Sequence, residues 1–79
     1  MDRIYIRPGK GSQGLTNSRI KAYFKVVFGE EPTMIRCEGR YVIVHTDMKL
    51  KEKQVRKFAS KLGNFQGFVK TNESYLFNL

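Results

Sequence analysis

Apolar and polar positions alternate along Arg3-Ile4-Tyr5-Ile6-Arg7, which predicts a strand that Pro8-Gly9 ends. With Ile4 and Ile6 turned to a core, Arg3, Tyr5 and Arg7 fall on the opposite face. The period then lengthens. Ile20, Tyr23, Phe24, Val27 and Phe28 recur at three- and four-residue steps, which predicts one buried face of a helix. Thr16 stands at the N-cap, Leu15 before it can pack on Ile20 as a hydrophobic staple, and Gly29 supplies the C-terminal stop.

Beyond Pro32 the alternation returns. Residues 33–37 and 40–46 read as two strands joined at Glu38-Gly39. A turn there sets Ile35 opposite Val42 and Arg36 opposite Tyr41. Ile35, Val42 and Val44 then point to the core, with Cys37 on the same side. Arg36, Tyr41, Ile43 and His45 share the other face. Asp47 is placed to cap a second helix whose buried stripe is Met48, Val55, Phe58, Ala59 and Leu62, and Gly63-Asn64 ends it. Residues 65–70 and 74–77 close the chain as a hairpin about Thr71-Asn72-Glu73. The expected fold is α+β. It is a ferredoxin-like β-α-β-β-α-β sandwich with a C-terminal β-hairpin, an antiparallel sheet carrying two helices on one face.

Length changes this picture little: 79 residues make one domain, residues 1–79. A content of 41% hydrophobic and 13% aromatic residues suffices for one core and excludes a disordered basic tail. Charge changes it more. Fifteen Lys and Arg against seven Asp and Glu leave +8, which steers the chain toward polyanions and makes such binding sensitive to salt. The charge is uneven. Residues 1–28 carry six basic groups and one acid, residues 47–62 carry six and two, and residues 29–46 are net −1.

A single cysteine, Cys37, excludes an intramolecular disulfide, and with one histidine it leaves no ligand set for a structural zinc site; no cofactor is expected. No apolar run is long enough for a signal peptide or a membrane span, so a cytoplasmic setting without membrane contact is expected.

Two surfaces can carry binding. The first is the uncovered sheet face with Arg3, Tyr5, Arg7, Arg36, Tyr41, Ile43 and His45. Aromatic rings there can stack unpaired bases while neighbouring arginines hold phosphates. Ile4-Tyr5-Ile6 resembles the first-strand signature of the RNA recognition motif, and Gly39-Arg40-Tyr41-Val42-Ile43-Val44 resembles its third-strand signature. The resemblance implies Tyr5 and Tyr41 as stacking rings, with Ile43 standing where that family has a second aromatic. The second surface is a basic stripe. Lys49, Lys53, Lys57 and Lys61 recur every fourth residue and would line one exposed side of the second helix, where like charges repel by a few tenths of a kcal/mol per pair.

Gly9-Lys10-Gly11-Ser12-Gln13-Gly14 has the spacing of a dinucleotide loop, but a hairpin follows the helix where a parallel strand is required. Its backbone amides and Lys10 suit contact with a nucleic-acid phosphate. Ser12-Gln13-Gly14-Leu15 resembles the acylphosphatase loop over four residues only, with Arg19 displaced from the expected position. No carboxylate pair is spaced for acid–base work, and His45 has no evident nucleophile. The expectation is a non-catalytic nucleic-acid-binding module, RNA or another single strand being favoured. Its contacts would be Arg3, Tyr5, Arg7, Lys10, Arg36, Arg40, Tyr41, Lys49, Lys53, Lys57 and Lys61. The alternative is a small regulatory or inhibitory protein, of the kind carried by mobile elements, that binds an acidic surface of a host protein.

Overall fold

The structure, a computed structural model, describes residues 2–9 and 15–79. The glycine-rich stretch 10–14, and Lys10 with it, lies outside the described residues. Seven elements follow in order: β1 (Asp2–Arg7), α1 (Asn17–Phe28), β2 (Met34–Glu38), β3 (Tyr41–Thr46), α2 (Glu52–Leu62), β4 (Gln66–Lys70) and β5 (Ser74–Asn78). They form an α+β fold in which one five-stranded sheet runs β2-β3-β1-β5-β4.

That order corrects the expectation of an antiparallel sheet. β1 pairs antiparallel with β3 but parallel with β5, with Ile4 opposite Tyr75 and Ile6 opposite Phe77. The sheet is mixed. The chain leaving α2 passes to the outer edge as β4, then turns back so that β5 fills the place beside β1. Burial supplies the reason. The central slot needs inward residues large enough to meet both helices, and Tyr75 and Phe77 are buried whereas most of β4 is exposed.

α1 forms as its sequence dictates. Thr16 accepts a hydrogen bond from the Arg19 amide at 3.2 Å, and Gly29 closes the last turn in the left-handed region at φ 86°. Ile20 and Phe24 are buried, while Leu15, Tyr23, Val27 and Phe28 pack at the margin of the same cluster. α2 contributes Val55, Phe58 and Ala59. Both helices meet one sheet face, that of Ile4, Ile6, Val44, Tyr75 and Phe77. At the centre Phe24 lies 4.4 Å from Phe28 and 5.7 Å, edge to face, from Phe58 (ring centroids).

Two further expectations are corrected. The β2–β3 turn is Gly39-Arg40 rather than Glu38-Gly39, so that Glu38 faces Tyr41, Arg36 faces Ile43 and Ile35 faces Val44. Gly39 takes φ +59° at the first turn position, which a two-residue hairpin favours glycine to adopt. Partners shift by two residues, an even step, and therefore no side chain changes face.

Asp47 does not cap the second helix either. The buried Thr46 hydroxyl accepts from the Met48 amide, and residues 47–51 form a connection before helix begins at Glu52, with Lys51 as an N-cap that makes no side-chain bond. Leu50 enters the core at this connection. Its amide donates to the Asp2 carboxylate at 2.6 Å, and the Tyr75 hydroxyl donates to its carbonyl at 3.1 Å. Burial, then the charges of Asp2 and Glu52, push the Tyr75 phenol above its ordinary value of 10.0, in keeping with its role as donor. Cys37 faces the helix side but is exposed, because it lies near the turn on the edge strand β2, whose ends the core does not reach.

Replacing Phe24 by Ala is expected to cost about 3–5 kcal/mol, much of the stability of a small domain. At roughly 4–8 °C per kcal/mol for a chain of this size, the melting temperature should fall by about 12 °C or more. Thermal unfolding followed by circular dichroism checks this, and a change of only a few degrees would contradict the packing described.

Candidate nucleic-acid interface

Strand register decides what the helices leave uncovered. Opposite residues in a ladder share a face, so the pairs Arg3 with His45, Tyr5 with Ile43, Tyr5 with Leu76, and Arg7 with Asn78 all lie away from the core. β2 adds Met34, Arg36 and Glu38 to this face, and Val69 of β4 lies opposite Leu76. The sheet residues expected to line one surface do so.

Tyr5 and Tyr41 meet diagonally across β1 and β3. Their ring centroids are 6.1 Å apart and their planes stand at 84°. Such an edge-to-face pair is worth about 0.5–1.5 kcal/mol beyond its buried area, so each ring helps hold the other in place. Perpendicular planes cannot support two bases stacked on one another. They suit bases splayed apart, one per ring.

Ile43 is 1% exposed although no helix covers its face. Its cross-strand neighbours are Tyr5 and Arg36, long enough to close over it. It is the apolar floor of the face and not a platform.

Arg36 is committed. Its Nε donates to His45 Nε2 at 3.0 Å, and its guanidinium pairs with Glu38 at 2.6 Å. An Nε2 that accepts a hydrogen bond carries no proton, so this geometry holds His45 neutral. Burial first, then the positive charges of Arg36 and Arg3, hold its pKa below the ordinary 6.5. Arg3, Arg7 and Arg40 enter none of the ion pairs found among the described residues, which join Lys21 to Glu31, Arg36 to Glu38 and Arg56 to Glu52.

The helical stripe is shorter than expected. Lys53, Lys57 and Lys61 lie exposed on α2, but Lys49 precedes the helix, in the connection that the Asp2–Leu50 contact holds. Arg56 is turned toward the sheet edge, 4.2 Å above the Phe68 ring. The lysines and the tyrosines thus lie on opposite sides of the molecule, since α2 packs behind the sheet.

Sequence reasoning missed what β5 adds. Tyr5, Val69, Thr71, Ser74, Tyr75 and Leu76 line a shallow depression of ≈ 300 Å³ beside the Tyr5 ring. Only the alternation Ser74-Tyr75-Leu76-Phe77 hinted at it, and nothing local gave β5 its neighbour. Among the described residues, no three His, Cys, Asp or Glu side chains group as a metal site would require. No helix among them is long and apolar enough to cross a membrane.

The His45 contact has a consequence for pH. A histidine whose folded pKa is depressed adds stability above its unfolded value, 6.5, and loses it as pH falls through the folded value. Between about pH 7.5 and about pH 5 the parent should therefore lose more melting temperature than His45→Gln, which keeps an acceptor for Arg36 but does not titrate. Equal losses in the two proteins would contradict the neutral-histidine contact.

The chain matches no protein-family model, no curated protein and no solved structure, so the character of this face rests on its own geometry.

Proposed function

We propose that the chain is a non-catalytic nucleic-acid-binding module that takes single strands, RNA foremost, on its uncovered sheet face. The observation that supports this is the Tyr5–Tyr41 pair, set on neighbouring central strands above an apolar floor and beside arginines without acidic partners. Base–aromatic stacking contributes about 1–3 kcal/mol per base and needs an unpaired base, whose faces a duplex hides. The resemblance to the RNA recognition motif agrees with this. The side-by-side order of β2, β3 and β1 with two helices behind supports a ferredoxin-like reading, in which β5 would be an insertion between β1 and β4. A cytoplasmic setting accords with a lone, exposed thiol.

A second reading draws on α2. Lys53, Lys57 and Lys61 are exposed, and none joins the ion pairs found among the described residues. An acidic protein surface, or a duplex backbone, would suit that face.

One titration separates the two. With a fluorescent single-stranded oligonucleotide, Tyr41→Ala should weaken binding about ten-fold or more, while the double reversal Lys53→Glu/Lys57→Glu acts less, through the long-range field alone. Binding of the parent should fall linearly in log K against log salt, by roughly 0.7 per phosphate contacted. The opposite ranking, with Tyr41 silent and the lysines dominant, would move the site to α2.

A further inference from the structure

Beyond the aromatic pair, where β1 ends and β2 turns into β3, the surface is recessed. Arg7, Pro8, Gly9, Arg40, Asn78 and Leu79 line this recess of ≈ 560 Å³. Arg7 closes β1 opposite Asn78 of β5, and Arg40 is the second residue of the turn that leads into Tyr41. Ile6 pairs with Val42, and Arg7 and Tyr41 are the next residues along their strands, so the recess adjoins the tyrosine face.

Three features make it suited to an anion. Two arginines line it, with no Asp or Glu among the lining residues. Neither arginine joins an ion pair among the described residues, whereas Arg36 and Arg56 each hold a glutamate. Two cations around one concave space repel each other, and a bound anion reverses the sign of that interaction. The bases of both arginines are also well held. The Arg7 carbonyl accepts from the Leu79 amide at 2.9 Å, and Arg40 stands in a two-residue turn. A side chain at Gly9 would place its Cβ 2.0 Å from the Leu79 carbonyl oxygen, so glycine alone lets the backbone lie this close to the end of β5. Planar guanidinium forks match phosphate oxygens with two donors each.

We propose that this recess binds one phosphate of the strand whose bases meet Tyr41 and Tyr5, with Arg7 and Arg40 sharing that phosphate. The proposal rests on the nucleic-acid reading given above. It distinguishes a shared contact from two separate ones, which mere surface charge would give.

The test is the salt dependence of binding to a fluorescein-labelled single-stranded oligonucleotide. The full chain would be compared with Arg7→Gln, Arg40→Gln, the double variant, and Lys53→Gln/Lys57→Gln as a control. Melting temperatures confirm folding, since both arginines are exposed. The double variant should flatten the slope of log K against log salt by about 0.7, the loss of one phosphate contact, whereas each single variant, which leaves the other arginine on that phosphate, should lower affinity and flatten the slope by less. A double variant flatter by about 1.4 would mean two separate phosphates and overturn the shared site. Arginine variants no different from the lysine control would overturn it too, with the nucleic-acid reading intact. A parent that binds no oligonucleotide at low salt would overturn both. If in that case the Arg7 and Arg40 Nε–H resonances moved with inorganic phosphate, the recess would be a site for free phosphate instead.

Discussion

β1 is hydrogen-bonded on both sides, antiparallel to β3 and parallel to β5, and the rest of the molecule takes its bearings from it. Its alternation separates two tasks residue by residue. Ile4 and Ile6 go to the core, while Arg3, Tyr5 and Arg7 go to the open face. A slip of one residue would exchange them, placing arginines against Phe24 and Phe58 and isoleucines in water, and the resulting buried charge prevents it. Asp2 extends the same control to the other end of the strand. Its carboxylate holds Leu50, and so sets where the chain leaves β3 and α2 begins.

The open face gains its character from what is neutralised and what is not. Arg36 is tied to Glu38 and His45, and Arg56 to Glu52 and the Phe68 ring, so those charges serve local order. Arg7 and Arg40 stand around a recess with no Asp or Glu side chain among its lining residues. Surface ion pairs contribute little to stability, so leaving such arginines unpaired costs the fold little while keeping their field directed outward. The tyrosine pair lies next to that field, above the buried Ile43.

Much of this was legible from residue order. Thr16 and Gly29 bound α1 as their capping chemistry dictates, and strict alternation placed residues 3–7 of β1 and 41–45 of β3 on their faces. Face assignment survived even where the turn was misplaced, since moving from Glu38-Gly39 to Gly39-Arg40 shifts partners by an even number. What escaped was long-range. Asp47 has good capping chemistry, but the buried contacts of Thr46 and Leu50 with distant strands override it and leave Lys49 outside the helix. The parallel pairing of β1 with β5 depends on how Tyr75 and Phe77 fill the space beneath both helices, which no local pattern encodes. The recess went unseen for the same reason, because Arg7, Arg40 and Asn78 meet only after three separate strands are placed.

The central claim is that the sheet face, not the helical face, receives a nucleic-acid strand. Amide chemical shifts of the labelled chain, followed during titration with a short single-stranded oligonucleotide, test it most directly. Binding on the sheet face should give shifts clustered at Arg3, Tyr5, Arg7, Arg40, Tyr41, Ile43 and Leu76, with Lys53, Lys57 and Lys61 nearly still. Shifts concentrated on α2 with a quiet sheet face would contradict it.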